Sequence, residues 1–479
     1  MQETPRSSRG TRSRGALFSL VGALCAFAPQ QASGQISGLS TADSLLTREI
    51  FAELIEIPTV SSTPETVVAA RAMAARLRAA GFPAEDVLVG GNEPGGNLVV
   101  RFRGTGEQRP ILLMAHLDVV PALRSDWSFE PFVFREEDGW LFGRGTTDNT
   151  AGSAMLVANF IRYRREGFVP NRDLIVILTQ DEETSSGGIK WLMGEGSEWI
   201  EGVEYALNTD AGGGSLRDGR PLDFNVQASE KVYLTFQLEV KNPGGHSSVP
   251  RKDNAIYALT RGLDRLAATE WPVQFNEISR AYFQAGAEIE TDPAVAADML
   301  AATDIPANPE AIDRLAAANP YYNAVMRTTC VTTRLEAGHA DNALPQTAHA
   351  TVNCRVLPGN STDEVARELA RILDDDQITI TRVNDPTPSP PSPLTPNLMS
   401  VIDDLREQFW PGVPIIPSMS TGATDGLYVR NAGIPVYGVS ALFGPEGDIR
   451  AHGRDERVGV TAFFESAQYW YLLVKTLSS

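Results

Sequence analysis

Four short apolar runs, 111–114, 174–178, 205–207 and 435–439, have the length of buried strands, and three of them are followed by residues of the types that can bind cations. The first leads into Ala115-His116-Leu117-Asp118, the second into Asp181-Glu182-Glu183 and the third into Asn208-Thr209-Asp210. Helical stretches separate some of them, notably 153–165, which stops near Gly167. Strands alternating with helices call for an α/β layer with a mostly parallel sheet. In open sheets of that kind ligands bind at the carboxyl ends of the strands, so the three polar segments can converge.

A further helix is expected to start at Thr63-Pro64-Glu65, with a capping hydroxyl and proline at the first helical position, and to end at Gly81. Val67, Ala70, Ala74 and Leu77 recur along it at helical spacing. The middle of the chain reads differently. Residues 232–240 alternate like a strand, 254–266 read as a helix, 328–336 and 348–356 as strands, 362–373 as a helix and 378–383 as a strand. Together they make a small α+β unit, interrupted by an Ala- and Pro-bearing helical insertion over 271–323. The proline cluster 386–396 reads as a linker back to the first unit. A chain of 479 residues exceeds one compact core. The expected division is therefore 35–228 and 387–479 for the larger domain and 229–386 for the smaller.

The N-terminus stands apart. Arg6, Arg9, Arg12 and Arg14 precede an apolar run over 16–28, followed by Ala32-Ser33-Gly34. That is the pattern of a secretory leader over 1–34, which implies a periplasmic or secreted protein. The run is short for a membrane span; a retained anchor is the alternative. Four arginines against Glu3 make the leader basic, so its removal takes the formal charge from −19 to −22. Such an acidic body argues against nucleic acid or anionic membrane as partner. Cys25 lies in the leader, which leaves Cys330 and Cys354 on two expected strands flanking a turn near Asn342, and a cross-strand disulfide is expected.

Metal-assisted hydrolysis needs imidazole and carboxylate ligands on rigid elements around an open coordination position. Gly143-Arg144-Gly145-Thr146-Thr147-Asp148 adds a carboxylate just before a helix, and Ala451-His452-Gly453 adds an imidazole near the C-terminus. Each of these signals is weak alone; their joint order carries far more.

His116-x-Asp118, Gly143-Arg144-Gly145 with Asp148, Asp181-Glu182-Glu183, Asp210, Gly244-Gly245-His246-Ser247 and His452-Gly453 resemble the carboxypeptidase S and aminoacylase group of dizinc metallopeptidases. Asn342-Ala343-Leu344-Pro345 and Asn353-Cys354-Arg355 extend the likeness, which runs from about residue 45 to the C-terminus and is nearest to the carboxypeptidase S branch. The resemblance implies two Zn2+, one held by His116 and Asp210, the other by Glu183 and His452, with Asp148 bridging. It implies that Asp118 orients His116, that Glu182 is the general base, and that His246, often reaching the site from a partner subunit, stabilises the tetrahedral oxyanion. Asn342 and Arg355 are candidates for holding the substrate carboxylate, since a guanidinium matches it with paired hydrogen bonds. Segment 421–425 resembles a substrate loop of the family, without individual roles. His339 and His349 match no ligand position and are read as structural. Where many relatives carry a lysine two residues after the bridging aspartate, this chain has Thr150, which bears on how that carboxylate is supported.

The expectation is thus an α/β fold: a catalytic domain built on a mostly parallel sheet, with an inserted smaller α+β domain acting as lid and as a candidate homodimer contact. The expected reaction is zinc-dependent hydrolysis of an amide in peptides with a free C-terminal carboxylate, of carboxypeptidase or dipeptidase type. Two alternatives stay open, an N-acyl amino acid deacylase and a non-catalytic periplasmic binding protein of the same fold.

Overall fold

The computed structural model describes residues 39–61, 63–92 and 96–479; the leader over 1–34, with Cys25, lies outside them. The four apolar runs become the strands Ile111–His116, Leu174–Thr179, Ala206–Asn208 and Val436–Gly438. They lie side by side in a ten-stranded sheet, in the order Leu174–Thr179, Ile111–His116, Ala206–Asn208, Val436–Gly438, and all three pairings are parallel. Every residue of the first two is buried, which is why they read as unbroken apolar runs instead of alternating ones. On one face Leu112, Met114, Ile175 and Ile177 meet Ile189, Leu192 and Val429. Asn97–Phe102 and Val87–Gly90 add an antiparallel edge, and Arg220–Glu230, Gly213–Arg217, Phe443–Pro445 and Ile415–Ser420 extend the other side.

The helix placed at 153–165 by its pattern spans Thr150–Glu166 and ends at Gly167, whose φ of 67° is a left-handed cap. It begins earlier than the periodicity indicates because its first turns are buried on all sides, so no polar stripe marks them. Gly152 lies where a Cβ would come 2.0 Å from Thr209 Oγ1. Only glycine lets the helix press against the segment that ends in Asp210. The earlier helix is Glu65–Ala79, with Pro64 in the capping position and no side-chain cap. The expected role of Thr63 does not hold: its hydroxyl donates to the Val60 carbonyl at 2.6 Å, an acceptor the preceding turn supplies.

The small unit is an antiparallel sheet ordered Thr329–Ala337, Thr347–Val356, Val232–Lys241, Ile378–Arg382. One face alternates inward: Leu234, Phe236, Leu238, Ala350 and Val352 pack beneath the helices Ala255–Ala267 and Thr362–Leu373 through Leu259, Leu266, Leu369 and Leu373. Each fully buried Leu or Phe stabilises this layer by about 1.5–3 kcal/mol. The insertion forms four helices, Glu277–Ile289, Pro293–Ala302, Pro309–Ala318 and Pro320–Met326, capped by Asn276, Asp292, Asn308 and Asn319. It leans on the large sheet, Tyr321 donating to the Met419 carbonyl at 3.3 Å.

Where the Arg220–Glu230 strand passes into Val232–Lys241, Lys231 is buried. Its ammonium donates to the Ala324 and Arg327 carbonyls at 2.8 and 2.9 Å and to Thr329 Oγ1 at 3.3 Å. Burial, then the positive charge of Arg355, lowers it to about 7.

Cys330 and Cys354 face each other in register and form a disulfide, with Cα atoms 4.0 Å apart. It closes a loop of 24 residues in sequence separation. Cys330→Ser is therefore expected to lower the unfolding free energy by about 3 kcal/mol, read from urea denaturation of the oxidised protein. A wild-type midpoint, or two free thiols from these positions in the unreduced, denatured chain, would show that they do not pair.

Candidate active site

His116 is the last residue of its strand and is almost wholly buried. Its Nδ1 lies 2.9 Å from the Asp118 main-chain oxygen. A carbonyl oxygen only accepts, so in the neutral ring Nδ1 carries the proton and Nε2 presents its lone pair. That Nε2 lies 3.0 Å from Asp148 Oδ1 and 3.3 Å from Asp210 Oδ1. The other oxygen of the same aspartate, Asp148 Oδ2, lies 3.0 Å from His452 Nε2, which is also 2.9 Å from Glu183 Oε2. Two groups of potential ligand atoms result, His116 with Asp148 and Asp210, and Asp148 with Glu183 and His452, each within 4.8 Å. Asp148 belongs to both.

The electrostatics ask for positive charge in both places. Burial pushes the Asp210 carboxyl up to about 7 despite the neighbouring His116. Burial also works against Asp148, but hydrogen bonds from the His116 and His452 rings in their protonated forms outweigh it and hold that carboxyl low. Hydrogen bonds to Asp148 and Glu183 lift His452 to about 10. Imidazole nitrogens and carboxylate oxygens converging in this way form a donor set of the kind that divalent zinc takes, so the residues fit a pair of cations.

The turn after Leu174–Thr179 separates three acids by role. Asp181 accepts from Gly187 N and Gly188 N at 2.9 and 2.7 Å, starting the Gly187–Met193 helix. Glu183 faces His452, and Glu182 lies near Asp210 and His116; burial, then the Asp210 charge, raises the Glu182 carboxyl well above the ordinary range. Asp118 fixes this turn. Its fully buried carboxylate accepts from Glu182 N at 3.0 Å, Glu183 N at 3.1 Å and Ser61 Oγ at 2.7 Å. The orientation of His116 falls mainly to the Asp118 main-chain oxygen, the carboxylate lying 3.5 Å from Nδ1.

Asp148 and Asp210 are tied through their neighbours. Thr209 Oγ1 donates to Asn149 Oδ1 at 2.7 Å, and Asn149 Nδ2 donates to Asp210 Oδ1 at 3.4 Å. Thr150 is buried at the start of the helix, its N–H donating to the Gly145 carbonyl at 2.9 Å. Two buried acids that the sequence reading passed over border the site. Asp425, in the segment singled out without individual roles, accepts from Thr179 Oγ1 at 2.6 Å, and burial raises it to about 7. Glu456 lies four residues after His452, and that spacing is the only sequence signal it offers.

The small unit contributes separately. His246 and Asn342 are neighbours on an exposed two-stranded ribbon, Gly245–His246 against Ala343–Leu344, where Ser247 N donates to the Asn342 carbonyl at 3.0 Å. Ser248 N donates to His246 Nδ1 at 3.2 Å. Arg355 lies apart on the sheet, its guanidinium 4.7 Å above the Tyr233 ring. Among the described residues no hydrogen bond or ion pair of these three reaches either group of potential ligand atoms. His349 sits 3.8 Å from Glu239 on the same sheet, and His339 is exposed on a turn. Beside Asp148 and Asp210 opens a cavity of about 280 Å3 walled by Trp140, Leu442, Phe443 and Val458 together with the polar Ser440, Asp448 and Arg457.

Residues 112–476 match Peptidase family M20/M25/M40. The chain is 30% identical over 385 residues to the human N-fatty-acyl-amino acid synthase/hydrolase PM20D1, covering 77% of this chain and 74% of that one. It is 27% identical over 390 residues to the probable carboxypeptidase S-like 2 of Dictyostelium discoideum, covering 79% and 74%. In fold it resembles the M20 family metallo-carboxypeptidase Sso-CP2 from Sulfolobus solfataricus, with a TM-score of 0.68 at 16% identity over 90% of this chain and 98% of that one.

Two ligand groups sharing one carboxylate imply a stoichiometry. Chelator-treated protein titrated with Zn2+ is expected to gain thermal stability and to saturate at about two equivalents, with about 4 kcal/mol gained per site once free metal reaches a thousand times that site's dissociation constant. Calorimetric saturation at one equivalent would refute the shared carboxylate.

Proposed function

The chain belongs to peptidase family M20/M25/M40, and from that premise we propose that it is a two-zinc hydrolase cleaving an amide bond beside a free carboxylate. The observation that carries the reading is Asp148, whose two oxygens face two different imidazoles while Glu182 stands beside the same group. His116, Asp148 and Asp210 would hold one zinc, and Asp148, Glu183 and His452 the other. Bound zinc lowers the pKa of water to about 7 and polarises a carbonyl.

The chain's own groups do the rest. Glu182, which stands beside Asp210 and His116, takes the proton of the attacking water and returns it to the departing amine nitrogen. His246 donates to the oxyanion. Ser248 N occupies Nδ1 as a donor, so the neutral ring carries its proton on Nε2, the tautomer this role needs. Because His246 sits on an exposed ribbon, supply from the partner of a homodimer is part of the reading. Asn342 and Arg355 receive the substrate carboxylate. The basic and apolar N-terminus supports export to the periplasm or beyond.

A second reading changes the substrate and keeps the chemistry. The cavity beside Asp148 and Asp210, walled in part by Trp140, Leu442, Phe443 and Val458, offers room for a hydrocarbon chain, which favours N-acyl amino acids, in line with the name of the human relative. Dipeptides, their C-terminal amides and N-acyl amino acids assayed side by side separate the two. In either case the C-terminal amide is expected to react far more slowly than the free acid, and equal kcat/KM would remove the carboxylate from the proposal. Glu182→Gln is expected to keep its zinc and to lose about 10^2- to 10^4-fold in kcat; a near-wild-type rate would sink the assignment of the base.

A further inference from the structure

Glu456 is completely buried, and the loop that presents Asp148 converges on its carboxylate. Oε1 accepts from Thr147 N and Thr147 Oγ1, both at 2.8 Å, and from Asp148 N at 3.2 Å. Oε2 accepts from Gly145 N at 2.8 Å and from Arg144 Nη1 at 2.7 Å. The main chain around it closes the same loop: Gly143 N donates to the Glu456 carbonyl at 3.2 Å, and Arg144 Nη2 to the Gly453 carbonyl at 3.1 Å. Directly after it, Arg457–Gly459 pairs with Trp140–Phe142, the strand that leads into Gly143. Four residues before it, the same turn carries His452.

We propose that Glu456 is a positioning residue of the metal centre, clasping residues 144–148 so that Asp148 can divide its oxygens between the His116 and His452 sides. It is not itself a ligand, because both oxygens are taken up by five donors. A carboxylate suits the place: it accepts at about four sites and offers no hydrogen, whereas an amide would turn an N–H toward other N–H groups. The clasp bears most directly on the Asp148, Glu183 and His452 group, since it joins the segment carrying Asp148 to the turn carrying His452. This inference rests on the two-zinc reading.

The test uses the full chain, stripped with chelator and titrated with Co2+ against a competing chelator, with the cobalt absorption spectrum recorded. The wild type is expected to take two equivalents. Loss of an outer partner of this kind weakens metal binding by about 10- to 100-fold, so Glu456→Gln is expected to fall in that range and Glu456→Ala to lose more. Thr147→Val removes one hydroxyl donor from Oε1 and is expected to weaken binding less while leaving the unfolding midpoint of the metal-free protein where it was. That combination separates positioning from general support of the fold. If the Glu456 variants do not fold, Thr147→Val decides alone. Wild-type cobalt affinity and spectrum in a folded Glu456→Gln, or in Thr147→Val, would overturn the role of Glu456. A wild type that takes up no cobalt would instead remove the zinc reading on which it depends.

Discussion

The structure turns on one shared carboxylate. Asp148 has an imidazole 3.0 Å from each of its oxygens, and those imidazoles come from opposite ends of the chain, at positions 116 and 452. Such an arrangement exists only if several remote segments are held to fractions of an ångström. The parallel strands do the coarse placement by delivering His116, the 181–183 turn and Asp210 at neighbouring carboxyl ends. Fine placement falls to groups with no claim on a cation of their own: the Asp118 carboxylate on the amides of Glu182 and Glu183, the Thr209 hydroxyl on Asn149, and Glu456 on the loop before Asp148. Among these buried carboxylates Asp148 faces the imidazoles, whereas Asp118 and Glu456 are taken up by N–H and O–H donors. The pattern of hydrogen bonding, more than the residue type, sets the division.

What could be read in the sequence follows from how local each signal is. The central strands were legible because both faces are buried and the runs are unbroken. The small sheet was legible through alternation, and its disulfide through two cysteines on neighbouring strands. The start of the Thr150–Glu166 helix was not, since a helix buried all round has no polar face to mark its phase. Thr63 misled because a hydroxyl before a proline satisfies a turn carbonyl as readily as a helix N–H.

The site shows the same limit. Strand-end acids and histidines in a fixed order pointed to the residues that gather in the two groups of potential ligand atoms, whereas nothing near position 456 reveals five donors contributed by residues 144–148, more than three hundred positions away. For Asp118 the sequence could suggest proximity to His116 but not which of its oxygens does the orienting. Partners that act through the main chain leave almost no trace in residue identity.

Lys231 has a mechanical consequence. It stands where one strand crosses from the large sheet to the small one, with its ammonium held by the carbonyls of Ala324 and Arg327. A swing of the small sheet about that crossing would either drag the end of the helical insertion along or strip a buried amine of its acceptors, and the latter is costly. The insertion in turn leans on the Ile415–Ser420 strand through Tyr321. Lys231 thereby ties the crossing to the end of the helical insertion, and Tyr321 ties that insertion to the Ile415–Ser420 strand, so the small sheet is braced against the large one at more than its chain connections.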